Sequence, residues 1–324
     1  MPCPSDSVNA GRRPSLAAVQ PYLQRFGIVI ALVVLCTILG MLTPNFLTPR
    51  NLLNVAQQIS INGILAVGVT YVLLTGGVDL SLGSLVALTG VVAATFAHPG
   101  DYPVFVPVVL GIVAGAACGA VNGVVITRGQ VAPFIATLGM MTIARGLALL
   151  VCGGRPVSNM SPEMARIGGE IAGIPIPVLI LAIVAAASWF FLANTRMGRY
   201  IYAVGGNADA ARAAGISVHR VKLFAYTTCG AMAGLAGVVL AARITAGQPN
   251  AGLAYELDAI AAVVIGGTSL SGGVGNVGGT LLGALLMGVI NNGLDLLNVS
   301  SYYQQIVKGC IIVGAVWLDR RNKH

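Results

Sequence analysis

The sequence predicts an all-α integral membrane protein with about ten transmembrane helices, including broken helices and an internal repeat. Only 9% of its 324 residues are charged and 56% are hydrophobic, whereas soluble domains carry about 25% charged residues. Apolar runs close to the roughly 20 residues that span a bilayer recur along the whole chain. No polar stretch between them is long enough for a soluble domain, so we predict a single membrane domain.

Polar residues or Gly and Pro separate ten apolar runs, and this even number places both termini on the same side of the membrane. The first run follows a basic segment, as in a signal peptide. It ends in Leu-Thr-Pro-Asn without a small-residue cleavage site, so we expect a retained helix. The ten runs cover residues 26–42, 52–74, 80–97, 104–127, 131–152, 175–193, 221–242, 257–271, 276–293 and 302–318.

The basic residues predict which side is cytoplasmic. With ten spans, twelve lysines and arginines fall on one side and four on the other. The positive-inside rule makes the richer side, with both termini, cytoplasmic. The formal charge of +8 is therefore a topology signal and does not indicate a nucleic-acid partner. The twelve are Arg12, Arg13, Arg25, Arg128, Arg196, Arg199, Arg212, Arg220, Lys222, Arg320, Arg321 and Lys323, and the four are Arg50, Arg155, Arg166 and Arg243.

This topology divides the chain into a cytoplasmic tail at 1–25, a polytopic membrane domain at 26–318 and a second cytoplasmic tail at 319–324. Within the membrane domain, two polar connections stand out in the sequence. Residues 153–174 are expected outside, and residues 194–220 form the main cytoplasmic loop.

Glycine is abundant, at 43 residues, and recurs at four-residue spacing in two segments. Small residues at positions i and i+4 let a neighbouring helix approach closely. We favour tight packing inside the chain over a dedicated dimer face. The two series are Gly111, Gly115, Gly119 and Gly123, and Gly275, Gly279 and Gly283.

Residues 75–83 and 265–273 form a weak internal echo. In both, Gly-Gly is followed by Ser or Asp, which suits a helix that breaks and restarts at membrane depth. Transporters often place broken helices in corresponding halves. The candidate break or gate residues are Gly76, Gly77, Asp79, Gly266, Gly267 and Ser269.

The motifs of common covalent chemistry are missing from the sequence. It has no P-loop, so any ATP must be handled by a partner. No pair of its three histidines has metal-binding spacing, and no Gly-x-Ser-x-Gly elbow is present. Five of the six cysteines lie in apolar runs and none form a CxxC pair, which disfavours disulfides and zinc. We expect no enzymatic activity, no metal and no cofactor.

The cytoplasmic loop has the pattern of a short capped helix that starts at Asn207. Asn207 suits the N-cap, Asp209 lies near the positive end of the helix dipole, and Gly215 provides a stop after an Ala-rich body. Such a helix fits a groove of another protein. The alternative is a helix on lipid headgroups, but its apolar face is small for membrane binding.

Ionisable residues inside apolar runs are functional candidates because they are costly there. Arg145 and Lys308 are the two basic examples, and either could line a pore or extend to the interface as an anchor. Glu256 and Asp258 begin the eighth run and could only complement its dipole. For Asp79 we favour a cap of the third helix over a gate.

Several blocks in the sequence carry a more specific signal. The chain resembles the ribose-type permeases of ATP-binding-cassette importers, in the branched-chain amino acid/ribose permease superfamily, over nearly its whole length. The blocks are Pro-Asn-Phe-Leu-Thr at 44–48, Gly-Ile-Leu-Ala-Val-Gly at 63–68, Gly-Gly-Val-Asp-Leu-Ser-Leu-Gly-Ser at 76–84, Arg-Tyr-Ile-Tyr-Ala-Val-Gly-Gly-Asn at 199–207, Tyr-Glu-Leu-Asp-Ala-Ile-Ala-Ala-Val-Val at 255–264, Gly-Gly-Thr-Ser-Leu at 266–270, Val-Ser-Ser-Tyr-Tyr-Gln at 299–304 and Trp-Leu-Asp at 317–319.

The resemblance implies a homodimeric permease in the bacterial inner membrane with a cytoplasmic ATPase subunit and a periplasmic sugar-binding protein as partners. It implies import of a monosaccharide, most specifically ribose, through a cavity between two copies. It also implies that the segment 206–215 is the helix that couples to the ATPase. The residues concerned are Gly206, Asn207, Asp209, Ala211, Arg212 and Gly215.

The densest polar and aromatic group near the outer membrane face is a candidate for the sugar path. Neutral amides and phenols offer hydroxyl partners that release a sugar again. The alternative is an aromatic belt with amide bonds between helices. The path candidates are Asn291, Asn292, Asp295, Tyr302, Tyr303, Gln304 and Lys308.

Other functions are also compatible with parts of this pattern. Permeases for another sugar or a sugar-like signal would look similar. An ion-coupled secondary transporter could use broken helices too, with Asp79 as its one strong carboxylate candidate. A membrane enzyme is disfavoured because a catalytic constellation is missing.

Overall fold

The computed structural model describes the backbone of residues 16–321 and the side chains of residues 27–314. The basic residues of the two tails, which predicted their cytoplasmic location, lie outside the residues whose side chains are described. The same holds for the Trp-Leu-Asp block at 317–319. The elements are α1 Leu16–Leu42, α2 Pro49–Leu74, α3 Leu82–Thr95, α4 Phe105–Thr127, α5 Pro133–Cys152, α6 Pro162–Ile167, β1 Glu170–Ile171, β2 Ile174–Pro175, α7 Ile176–Asn194, α8 Arg196–Gly206, α9 Ala208–Ala213, α10 Val218–Ile244, α11 Tyr255–Ile265, α12 Val277–Leu296 and α13 Ser301–Arg321.

Six of the helices in the described part of the chain are long and apolar enough to cross a membrane, namely α2, α4, α5, α7, α10 and α12. Gly27–Leu42 and Leu82–Thr95 are shorter apolar helical segments. Each of the ten predicted runs coincides with a helix. The number of membrane crossings nevertheless stays a prediction beyond these six.

The eighth predicted run, 257–271, differs most from the structure. Its helix α11 begins at Tyr255, ends at Ile265 and has 11 residues, a length of about 16 Å. Gly267 follows with φ of +88°, a left-handed conformation that stops the helix and suits glycine. α11 is therefore a half-helix, too short to cross the roughly 30 Å hydrocarbon layer alone.

Four further elements lie in the two polar connections and have no counterpart in the predicted runs. α6 and the antiparallel pair β1 and β2 occupy the connection before α7. α8 precedes the predicted loop helix, and its N-cap Thr195 accepts a hydrogen bond from the Gly198 N–H at 3.0 Å. Short, locally capped elements of this kind lack the long apolar pattern that reveals a membrane helix.

The core is formed by α2, α3 and α10. α10 packs against α4, α3 and α2, and most of α3 is buried. Large apolar side chains remain exposed on α1, α4, α5, α7 and α13. Such an apolar exterior suits lipid as the surrounding solvent.

The four-residue glycine series form helix contacts within the chain, as predicted. A Cβ on Gly119 would lie 3.1 Å from the Gly230 Cα and closer still to the Tyr226 carbonyl. Gly115 faces the same stripe of α10, so the two helix backbones touch. In the second series, Gly283 faces the Ala262 carbonyl of α11 and Gly279 faces the Gly266 carbonyl just after it, whereas Gly275 precedes α12 and packs on Thr268.

The helix contacts also relate α2–α5 to α10–α13. α10 packs on α3 and α4, and reciprocally α2 packs on α11 and α12. α5 packs on α3 as α13 packs on α11. The half-helices α3 and α11 correspond, and so do the segments that start them, Asp-Leu-Ser at 79–81 and Glu-Leu-Asp at 256–258. The predicted echo matched residues 75–83, which follow α2, with residues 265–273, which follow α11. These two helices do not correspond in the repeat, because α2 corresponds to α10.

The long polar connections lie at opposite ends of the bundle. α9 immediately precedes α10, whose 27 residues extend about 40 Å. At the far end, Gly247 forms a β-bridge with Val157, with N–H to O distances of 2.8 and 2.9 Å. The loop 194–220 and the loop 153–174 are therefore separated by the length of α10.

Candidate functional site

Three backbone segments meet beside α9, in a contact we call the glycine junction: Leu74, Gly205 and Gly273. The Gly273 N–H donates to the Leu74 carbonyl at 3.0 Å. Gly205, in α8, lies so close to both that a Cβ would overlap their backbone atoms. The Tyr202 hydroxyl donates to the Gly275 carbonyl at 2.9 Å. α8 therefore touches both the end of α2 and the segment between α11 and α12.

Most of the predicted break residues lie in the segments that follow α2 and α11. Gly76 has φ of +73°, and a Cβ there would lie 3.4 Å from the Ser271 carbonyl. Gly77 packs against the Tyr226 hydroxyl. The two segments of the predicted echo are thus in contact with each other. Gly266 follows the end of α11 and packs on α12, Gly267 has a positive φ, and the Ser269 N–H donates to the Val274 carbonyl at 2.9 Å.

The loop helix α9 has the cap that the sequence predicts. The Asn207 side-chain oxygen accepts from the Asp209 and Ala210 N–H groups at 3.0 and 2.9 Å. Asp209 and Arg212 form an exposed ion pair at 2.7 Å. Gly215, with φ of +82°, ends the helix. This surface is polar, short and exposed, as a docking segment would be.

Ala211 contradicts one part of the predicted coupling surface. Its side chain is 5% exposed and packs with Ile201, Val204, Val221 and Ala225 inside the chain. The sequence analysis placed Ala211 among the residues that couple to the ATPase, although residue 211 lies on the inward side of this short helix. The Ala211 side chain is therefore not available for direct contact with a partner. We expect the exposed residues beside it to make that contact instead.

The starts of the two half-helices meet inside the bundle. A Cβ on Gly83 of α3 would overlap the Gly252 carbonyl and the Glu256 carboxylate. The Glu256 carboxylate therefore lies beside the first turn of α3, at the partially positive N-terminus of that helix. The Arg145 guanidinium donates to the carbonyls of Pro249 and Ala251 at 2.5 and 2.9 Å. This arginine fixes the segment that leads into α11.

The segment before α3 holds Asp79, which is completely buried. Its Oδ1 accepts from the Ser81 N–H at 2.9 Å and from the Ser81 hydroxyl at 2.6 Å. The Asn122 amide of α4 donates to that same hydroxyl at 3.2 Å. These contacts all come from neutral groups and connect the start of α3 to α4. They stabilise a turn before α3, whose N-cap is Ser81 and has no side-chain cap hydrogen bond, so Asp79 does not cap the helix as the sequence suggested.

The first turn of α11 contributes to a charged group that we call the Asp258 cluster: Asp258 of α11, Asn291 of α12 and Lys308 of α13. Lys308 Nζ lies 2.8 Å from Asp258 Oδ2. The Asn291 amide donates to the same oxygen at 3.4 Å. Asp258 and Asn291 are 3% and 4% exposed, and the Lys308 side chain 22%. The cluster joins α11, α12 and α13.

Sequence reasoning missed the role of Asp258. Its position in the first turn of a helix suggested dipole compensation, and its partners lie 33 and 50 residues away. The available signal was the coincidence of an acidic and a basic residue in apolar runs. Because oppositely charged groups in a membrane usually pair, Lys308 could have been matched with it.

The other predicted path residues fall into two different environments. Asn292 forms a reciprocal amide pair with Asn51, with distances of 2.8 and 2.9 Å, so it joins α12 to α2. The Gln304 amide donates to Asp295 at 2.8 Å. Tyr302 and Tyr303 are exposed. Of the predicted set, the structure brings only Asn291 and Lys308 together around one buried charge.

Comparison with known proteins identifies the family. Residues 51–316 match the family described as "Branched-chain amino acid transport system / permease component". The chain belongs to this family of permeases. It is therefore a multi-pass protein of the bacterial inner membrane, with transport as its function.

Named relatives cover nearly the whole chain. The ribose import permease protein RbsC of Escherichia coli strain K12 is 50% identical over 300 residues, 91% of this chain and 93% of the relative. RbsC of Bacillus subtilis strain 168 is 48% identical over 303 residues, covering 93% and 94%. The D-allose transport system permease protein AlsC of Escherichia coli strain K12 is 38% identical over 301 residues, covering 92% of each. No solved structure matches the chain.

Proposed function

We propose that this chain is the membrane-spanning permease subunit of an ATP-driven importer that moves ribose into the cytoplasm. The identity of 50% and 48% to two ribose import permeases, against 38% to a D-allose permease, supports ribose over another monosaccharide. ATP hydrolysis belongs to a partner subunit, because the chain has no P-loop. The permease itself performs no covalent step.

Ten membrane passages follow from this proposal, with tails at 1–25 and 319–324 and the loop 194–220 in the cytoplasm. The separation of the loops 194–220 and 153–174 by the length of α10 supports it. The half-helices α3 and α11 each cross together with the non-helical segment that precedes them.

Single-cysteine labelling tests this topology. In a cysteine-free background, Asp209→Cys should react with an impermeant thiol reagent only after the inner membrane is opened, because Asp209 is exposed at the proposed cytoplasmic end. Glu163→Cys, exposed in the opposite loop, should react in intact spheroplasts. Reaction of residue 209 from the periplasmic side would overturn the orientation.

The glycine junction is the observation that carries the coupling role of α9. α8 and α9 are consecutive, separated only by Asn207, and Gly205 touches the backbones at Leu74 and Gly273. Displacement of α9 by an ATPase would therefore act directly on the segments after α2 and α11. Gly206 has open space where a side chain would be, and Asn207, Asp209 and Arg212 are exposed, so all four are available to a partner.

The exposed alanine beside the buried one provides the test of coupling. Ala210→Trp should preserve membrane insertion and folded yield, because the new side chain would project from the surface. The same variant should lose the ATPase subunit in pull-down and lose ATP-driven uptake, because Trp blocks close approach. Glu163→Trp, an equally bulky change in the other loop, should retain both.

Normal uptake and normal ATPase recovery with Trp at position 210 would contradict docking on α9. Loss of uptake with retained ATPase binding would also contradict it, because the steric account requires both to fail together. Measuring folded yield alongside separates exclusion of the partner from misfolding.

We further propose that two copies of the chain form the sugar path between them, served by a periplasmic sugar-binding protein. α13 packs mainly on α11 and leaves Tyr302, Tyr303 and Ile306 exposed, so the side of the Asp258 cluster nearest α13 is the least enclosed by this chain. Asn291 and Lys308 are the path candidates with the strongest support. For Asn292, the amide pair with Asn51 favours the structural alternative.

Proteoliposomes test the function as a whole. The chain reconstituted with its ATPase and binding protein should accumulate ribose when ATP is inside and lose uptake when hydrolysis is blocked. An ion gradient applied to the chain alone should drive none. Uptake by the chain alone along a proton or sodium gradient would overturn the proposal in favour of a secondary transporter.

A further inference from the structure

The Asp258 cluster contains two buried acceptors without a donor. Five buried side-chain atoms have no hydrogen-bond partner within the described part of the chain, among them Asp258 Oδ1 and Asn291 Oδ1. These two belong to side chains that contact each other across α11 and α12. The opposite atoms, Asp258 Oδ2 and Asn291 Nδ2, are both engaged. Two orphan oxygens therefore lie in one polar group.

Buried polar atoms are nearly always paired, so each exception requires a physical explanation. If the cluster were only a link between helices, an apolar contact of the same shape would hold the helices without the cost of orphan acceptors. The Lys308 ammonium has three donors, and the described contacts account for one of them at Asp258. The cluster thus offers two acceptors and further donor capacity.

The charges of the cluster limit what it could bind. A metal cation would be repelled by Lys308 and a phosphate or carboxylate by Asp258, and both charges already lie within one ion pair. A neutral molecule with several hydroxyl groups meets neither obstacle. Each hydroxyl can donate to an orphan oxygen and accept from the ammonium.

We infer that Asp258, Asn291 and Lys308 form a binding site for the hydroxyl groups of a neutral sugar within the membrane. The site is closed in this structure, and movement of α13 away from α11 opens it. The inference rests on the proposed sugar transport and adds a specificity-determining group inside the permease. Lys308, partly exposed on α13, is the group that moves with that helix.

The ratio of ribose uptake to deoxyribose uptake tests the site. Proteoliposomes that contain the complete transporter receive ribose or its 2-, 3- or 5-deoxy analogue, each at a concentration that saturates the binding protein. The binding protein is the same in all assays. A difference in this uptake ratio between the wild type and a variant is therefore caused by the permease. Asn291→Ala should lower the ratio for at least one analogue by about fivefold, the effect of one hydrogen bond.

The neighbouring residue supplies a matched control. Asn292→Ala removes an amide of the same size, one position along α12 and also buried, but its partner is Asn51. This variant should slow uptake of all the sugars equally and keep the ratio within about twofold of wild type. Lys308→Gln, at a partly exposed position, should lower the ratio as Asn291→Ala does and covers the case in which Asn291→Ala fails to fold.

The outcomes separate this inference from the proposed function. Wild-type ratios in the folded Asn291→Ala and Lys308→Gln variants would overturn the hydroxyl site while leaving ribose transport in place. An equal shift in Asn292→Ala would also overturn it, because the effect would then be one of packing. If the wild-type complex imports no ribose with ATP, the proposed function itself is wrong.

Discussion

The two half-helices of this permease have the same position in the repeat but different surroundings. α3 is buried along most of its length and packs against α4, α5 and α10, and the carboxylate of the segment before it, Asp79, is held by neutral groups. The first turn of α11 contains Asp258, which is held by the ammonium of Lys308 on an outer helix. Leu257 beside it is 43% exposed.

This difference suggests a division of labour between the halves. Neutral local hydrogen bonds and backbone contact make the first half a fixed frame. An ion pair to a helix with few neighbours can be exchanged for contacts with a ligand, as a two-state element requires. We therefore expect α3 to keep its contacts during transport and the α11–α13 contact to change.

The largest effect is expected from filling the glycine contact that holds the fixed half. Gly119→Leu places a branched side chain against the backbone of α10 at Tyr226 and Gly230 and should abolish folded protein in detergent. Gly139→Leu in α5, where a Cβ meets nothing within 4 Å, should give normal yield. Equal yields of the Gly119→Leu and Gly139→Leu variants would contradict the tight packing of α4 on α10 in the first half.

A smaller loss should follow from separating the two charges at α11. Asp258→Asn leaves the Lys308 ammonium without its partner and should cost up to about 3 kcal/mol, because breaking a buried ion pair is strongly destabilising. Lys308→Met added to it should recover most of the loss. Thermal unfolding in detergent gives both values.

Asp79→Asn removes the charge of the buried carboxylate next to α3, in the fixed half. Its Oδ1 can still accept both hydrogen bonds from Ser81, so the loss should stay below about 1 kcal/mol. A loss at Asp79 as large as that at Asp258 would contradict the different roles of the two carboxylates.

Two adjacent glycines at the end of α8 provide a further comparison. Gly205→Ala introduces a methyl group at the glycine junction, against Leu74 and Gly273, whereas Gly206→Ala meets no atom within 4 Å. Overpacking costs about 1–3 kcal/mol, so only Gly205→Ala should lower the unfolding temperature. If both variants unfold at the wild-type temperature, α8 is not packed on the break segments.

The sequence was informative wherever a property is local or periodic. Hydrophobic runs predicted the positions of ten helices, the glycine spacing predicted close packing, and Asn207 and Gly215 predicted the limits of α9. Each depends on residues within one or two helical turns, so a single sequence contains the whole signal.

Contacts between distant residues were not accessible in the same way. Asn51 and Asn292 are 241 residues apart, and nothing near either residue indicates the other. The inward side of Ala211 depends on how α9 rests on α10, which the alanine pattern of a six-residue helix leaves open. The internal repeat is likewise clearer from reciprocal helix contacts than from sequence, because Asp-Leu-Ser and Glu-Leu-Asp share only a short pattern.

State-dependent cysteine reactivity at equivalent positions of the two half-helices tests the division of labour most directly. Ser84 in α3 and Ala261 in α11 both follow the starting segments by three residues, and both are buried. In a cysteine-free permease, assembled with its partners, Ser84→Cys and Ala261→Cys are exposed to a small thiol reagent without ATP, with ATP trapped, and with sugar-loaded binding protein. We predict that Cys at 261 reacts at least about tenfold faster in one of these states and that Cys at 84 stays protected in all of them. Equal protection of both positions in every state, or opening at 84 instead, would contradict a fixed first half and a moving second half.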